Sequence, residues 1–195
     1  MKTMLKFQVS AAALWLASAC SILPESEPVQ VLDPRLPPPA AADRSADWSL
    51  NITRPESDPA RDSTRVLVRT GSGQLQSHAS ARWVAAAPEL LRTGLVRYLR
   101  DSRSLEEVSA GAAGMDRTLA LDLRRFELVE TGDGRLEAEI RLEARLYDSR
   151  SAKLLARELF EARRPVEGTD AAELVTGFEA VLDEVIPAVA DWLGG

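Results

Sequence analysis

Residues 117–148 read RTLALDLRRFELVETGDGRLEAEIRLEARLYD, and this stretch decides the fold. Leu119, Leu121 and Leu123 alternate with Ala120, Asp122 and Arg124, and Phe126 continues the run. Thr131-Gly132-Asp133-Gly134 follows, and Asp-Gly tolerates positive φ cheaply, so a tight turn is expected there. Leu136, Ala138, Ile140, Leu142, Ala144 and Leu146 then alternate with charged residues. A period of two places alternate side chains on opposite faces of a strand. The stretch therefore predicts a long antiparallel hairpin with one buried face and one solvated face. Glu137, Glu139, Arg141, Glu143 and Arg145 fall on the solvated side, with cross-strand pairing.

Working outward, Asp148 to Ser151 turns the chain and Leu154 to Arg163 reads as a further strand. Leu174, Phe178, Val181, Leu182, Val185, Val189 and Trp192 keep a helical repeat towards the C-terminus. Pro187 lies inside that repeat, where it removes an N–H and crowds the carbonyl of Asp183, so a kink or a break is expected. Upstream, Trp48, Leu50 and Ile52 alternate in the strand manner, and Pro55 and Pro59 bracket a polar loop. Thr64–Arg69 and Gln74–Trp83 form two strands around the Gly71-Ser72-Gly73 turn. Pro88 opens a helix whose stripe is Leu91, Leu95, Tyr98 and Leu99. A weak strand at Leu105–Val108 and a Gly111–Gly114 loop lead back to the hairpin. The order β-β-β-α-β-β-β-β-α predicts a mixed α/β (α+β) fold, one mixed sheet with helices packed on it. The core is expected from Leu119, Leu121, Leu123, Ile140, Leu142 and Leu146 against Leu95, Phe178, Val181 and Val185.

The N-terminus reads as a secretion signal. Lys2 and Lys6 precede the apolar stretch Phe7–Ala17, and Ser18-Ala19 precede Cys20, the single cysteine of the chain. So short an apolar run cannot span about 30 Å of hydrocarbon as a helix. Leu16-Ala17-Ser18-Ala19-Cys20 resembles a lipoprotein signal, although the usual Leu three residues before the cysteine is Ala17 here. Cys20 is then the acylated anchor; the alternatives are an ordinary secreted protein cleaved after Ala19 and a buried thiol of no consequence. Several acyl chains, at roughly 0.8 kcal/mol per buried methylene, hold a protein stably. Ser21, where inner-membrane lipoproteins tend to carry Asp, favours the outer membrane by resemblance to Gram-negative sorting. Residues 1–19 are thus the signal peptide. Residues 20–47 are the lipidated cysteine and a Pro-rich tether, with six of the eleven prolines between Pro24 and Pro39. Residues 48–195 are the globular domain. Within the tether, Val29-Gln30-Val31-Leu32 is a strand-like island able to return to that domain.

Without Lys2 and Lys6 the 24 basic residues become 22 against 30 acidic, a net charge of about −8. That argues against a nucleic-acid stripe and against a polybasic membrane-binding surface. Catalytic groups are sparse. His78 is the single histidine and lies in a polar strand without a nucleophile motif. Gly71-Ser72-Gly73 lacks the Lys-Ser/Thr and helix start of a phosphate loop. Glu106 and Glu107 point to opposite sides of a strand, and no ligand cluster suggests a metal or cofactor. Trp83 has two readings: a core hinge between strand and helix, or an exposed anchor for a partner.

A resemblance gathers these features. Ser63-Thr64-Arg65-Val66-Leu67-Val68-Arg69, Ala81-Arg82-Trp83, Pro88-Glu89-Leu90-Leu91 and Leu99 resemble the ABC-type transport auxiliary lipoproteins, the PqiC (YmbA-like) family. Asp122, Phe126, Leu142 to Asp148 and Phe160 to Pro165-Val166 extend the likeness into the last helix. An early Tyr-x-Leu is replaced by Val29-Gln30-Val31-Leu32, and Ser77-His78 stand where aromatics are common. The resemblance implies a fold similar to the N-terminal domain of TolB. It also implies a non-enzymatic, outer-membrane, periplasm-facing docking component of an MCE-type system that moves lipids between membranes. The implied partners are an MCE-domain protein and an ABC permease and ATPase, and a homo-oligomer is compatible with the likeness. A generic adaptor of another envelope complex and a lipid-binding carrier with an apolar cavity are the alternatives.

Overall fold

The computed structural model describes residues 28–40 and 46–194. The hairpin at its centre pairs β6 (Arg117–Glu130) with β7 (Leu136–Asp148), setting Leu119 opposite Leu146, Leu123 opposite Leu142 and Phe126 opposite Ile140. All six side chains are buried, as is the whole expected core. Gly134 turns the chain with φ +79°, a left-handed value that glycine adopts without a Cβ clash.

Strand β8 (Leu154–Val166) pairs antiparallel with β7. The other side of β6 is shared by two strands. β2 (Ala46–Ile52) runs parallel to its first residues and β3 (Arg65–Arg69) parallel to its last. Between them Glu56 makes a single bridge to Asp122, and the remaining residues of the connection loop out. β5 (Leu105–Ser109) adds to β2. β4 (Leu75–Trp83) adds to β3, and β1 (Gln30–Leu32) adds parallel to β4. The result is one mixed sheet of eight strands with β1, β5 and β8 at its edges.

Among the described residues two helices cover one face of the sheet. Helix α1 (Ala87–Ser102) carries Pro88 in its first turn and ends at Arg103, whose φ of 54° is left-handed. Helix α2 (Ala171–Gly194) is opened by Asp170, whose carboxylate accepts the Glu173 N–H at 2.9 Å. Pro187 does not break it. Ile186 and Val189 on either side are fully buried, and that packing holds the helix through the missing hydrogen bond. Gly177 lets α2 lie against β8, since a Cβ there would meet the Val166 Cγ2 at 2.5 Å.

The island at 29–32 does return to the sheet, as β1. The residues after it do not hang free either: Leu32, Pro34 and Pro37 are buried, and Leu36 packs on the core. From residue 30 to at least Pro37, the segment read as tether is therefore part of the globule. Its prolines supply apolar rings without N–H groups that would need partners.

Candidate functional site

Cys20, the expected anchor, lies outside the described residues. Trp83 lies in the core. It is 2% exposed and stands edge-on to Phe126 and Phe178, with centroids 5.4 and 4.7 Å away, while those two rings stack at 4.9 Å. Of its two readings the hinge holds and the exposed anchor does not: β4 turns Trp83 inward next to Leu32 of β1. His78 is half-buried on β4, and no group of three or more His, Cys, Asp or Glu able to hold a metal occurs among the described residues.

Residues 33–40 form a strap across the two helices. Leu36 seats against Gly94 of α1 and Ile186 of α2. Arg35 clamps α2: its backbone N–H donates to Glu179 Oε1 at 2.8 Å, and its guanidinium reaches both carboxylate oxygens at 3.3 and 3.2 Å. Burial pushes the Glu179 carboxyl up, but the Arg35 hydrogen bonds and charge outweigh it, and the group sits below its ordinary value. The Ala40 N–H reaches the Tyr98 hydroxyl at 3.4 Å. A cavity of about 690 Å³ opens beside the strap, lined by Pro38, Leu90, Tyr98 and the charged Asp33, Arg97 and Asp101.

The other face of the hairpin departs from the expected solvated surface. Glu127 and Glu139 stand directly opposite each other and are fully buried. Two bare carboxylates so placed repel, and arginines resolve it. Arg61, from the loop before β3, and Arg69 (2.6 Å) bind Glu127, while Arg125 (3.1 Å) and Arg163 (3.0 Å) bind Glu139. Asp58 in turn holds Arg61. Sequence reasoning missed this network because the charge alternation of β7 looks the same for a wet face and for one roofed by guanidinium groups. Arg61, Arg69, Arg125 and Arg163 come from four separate segments, so no local signal pointed to it.

Surface hydrophobics collect at two edges. On β8, which among the described residues pairs with β7 alone, Leu154, Leu155 and Leu159 are exposed, Leu155 to 46%. At the β1 edge, Val29, Val31 and Val84 are exposed. A long strand with one unpaired row of N–H and C=O groups is a template for adding another strand.

The family model described as "ABC-type transport auxiliary lipoprotein component" matches residues 31–190. A crystal structure of a Xanthomonas campestris protein of the DUF330 family superposes with a TM-score of 0.78 at 30% identity, covering 84% of this chain and 94% of that one. A hypothetical protein from Chlamydia trachomatis shares the fold at 10% identity and a TM-score of 0.52, covering 76% of this chain and 98% of its own. No curated protein matches the sequence significantly.

Proposed function

The chain belongs to the ABC-type transport auxiliary lipoprotein family, and from that premise we propose that it is the outer-membrane-anchored, periplasmic docking component of an MCE-type system that moves lipids between the membranes. The family is a transport auxiliary, not an enzyme family. The Cys20 anchor and Ser21 support the outer-membrane assignment. The observation that carries docking is the β8 edge: thirteen residues long, unpaired on one side among the described residues, with three exposed leucines. Backbone hydrogen bonds at such an edge supply affinity, and pockets for alternate side chains supply specificity. With Trp83 in the core, this edge takes over the partner-binding role.

A lipid carrier fits less well. The space between sheet and helices is filled by side chains such as Leu50, Leu95, Leu121 and Phe178, and the cavity beside the strap, though partly apolar, sets Asp33, Arg97 and Asp101 in its wall, where an acyl chain would meet charge.

A photo-crosslinking amino acid at Leu155 or Leu159, in cells that also produce the permease, ATPase and MCE-domain protein, tests the assignment. An adduct with the MCE-domain protein is expected, and none from Glu106 on the β5 edge. Equal capture from both edges would overturn the docking edge. A self-adduct alone would replace it with a homo-oligomer contact, and capture of an unrelated exporter component would favour the generic adaptor.

A further inference from the structure

The sheet edge opposite β8 holds a like-charge pair that the fold leaves uncompensated. Register places Val31 of β1 opposite Arg82 of β4, and Arg82 opposite Arg65 of β3. Leu32, Val66 and Trp83 turn into the core, so Val31, Arg65 and Arg82 point to the other face. Val29, just before β1, and Val84, at the bend after β4 where it also borders the strap cavity, are exposed at the same edge, and Val31 is 65% exposed. Like charges directly opposite in a sheet are destabilising. Where Glu127 opposes Glu139, arginines neutralise the pair. Arg65 and Arg82 ion-pair with no carboxylate among the described residues. Arg82 donates instead to the carbonyls of His78 at 2.7 Å and Ala81 at 2.6 Å.

We propose that this β1 edge, Val29, Val31 and Val84 with Arg65 and Arg82, is the surface by which the protein rests on an anionic phospholipid bilayer. Two features single out the bilayer as occupant. Basic groups beside a membrane are drawn to its anionic headgroups, and apolar side chains next to them enter the headgroup boundary. Chain length does the rest. Seven residues, 21–27, separate Cys20 from Pro28, and an extended chain spans at most about 3.5 Å per residue, so Val29 stays within roughly 30 Å of an anchored Cys20. Pairing of β1 with β4 and the Arg35 clamp keep that short leash attached at this edge. The β8 edge, at the far end of the strand order, is thereby turned away from the membrane. The inference rests on the acylation of Cys20 proposed above.

The test uses the full-length lipoprotein in vesicles of phosphatidylethanolamine and phosphatidylglycerol. Acylated Cys20 cannot react, so Val31→Cys, Val84→Cys and, as control, Leu159→Cys each take a single environment-sensitive dye. Blue-shifted emission quenched by lipid-borne spin labels is expected at 31 and 84 and not at 159. Arg65→Glu with Arg82→Glu should remove most of the quenching while flotation with the vesicles persists. Floating protein whose dye at 31 is no more quenched than at 159 overturns the proposal and leaves the anchor intact. Protein that neither floats nor takes up a labelled fatty acid overturns the anchor, and the membrane-facing edge with it.

Discussion

Leu36 occupies the notch that Gly94 leaves in α1: a Cβ at position 94 would come within 2.8 Å of the Leu36 Cδ2 and 3.0 Å of the Ile186 Cδ1. The glycine trades helix propensity for a seat in which the strap meets both helices at once. Gly94→Ala should regain up to about 1 kcal/mol of helix stability. It must also displace Leu36, the flexible tip of a side chain on a surface segment. Global stability should change little while the strap lifts. Trypsin cleavage at the Arg35–Leu36 bond, followed by mass spectrometry, should be faster than in the parent; an unchanged rate there would mean the notch does not hold the strap.

The strap should also loosen in acid. Glu179 is held below its ordinary value of 4.5 because Arg35 binds its charged form, burial notwithstanding. A depressed carboxyl stabilises the folded arrangement fully above the ordinary value, and that contribution is lost as pH falls through the lower, folded value. The Arg35 amide resonance should therefore titrate with a midpoint under 4.5, and Glu179→Gln should abolish that titration. A midpoint at or above the ordinary value would contradict the clamp.

Removing one partner from a buried charge cluster costs far more than removing one from the surface. Arg61→Ala leaves the fully buried Glu127 with fewer cations and should destabilise the domain by about 3–5 kcal/mol. Arg124→Ala, which breaks half-exposed contacts to Asp122 and Glu143, should cost about 0–1 kcal/mol. Urea unfolding of the two variants side by side measures the difference. Equal small losses would show that the network is solvated.

Period-two and period-3.6 patterns made most of the fold legible: every strand from β2 to β8 and both helices stand where alternation, Pro88 and the glycine turns put them. The strand-like island at Val29–Leu32 pairs as its alternation allowed. What pattern could not carry was tertiary. Glu139 alternates like any wet residue, and only the approach of Arg125 and Arg163 buries it. Pro37 belongs to a run that composition assigns to an extended linker, and only the groove between α1 and α2 turns that run into a strap. Gly94 interrupts the good helix-forming run ELLRTGLVRYLR and was the local sign that something approaches closely. Pro187 shows the reverse, since a strong local breaker is overridden by the buried residues around it.

Trp83 separates stability from docking. Wedged against Phe126 and Phe178, it fills core volume that no neighbouring side chain can recover. Trp83→Ala should cost about 3–5 kcal/mol, as large-to-small aromatic changes in cores do. Trp83→Phe keeps most of the ring contact and should cost distinctly less. If the β8 edge rather than Trp83 meets the partner, Trp83→Phe should preserve crosslinking from Leu159 at temperatures where circular dichroism shows a folded domain. Loss of that adduct in a folded Trp83→Phe protein, with its melting temperature near the parent value, would return Trp83 to the interface and count against the edge.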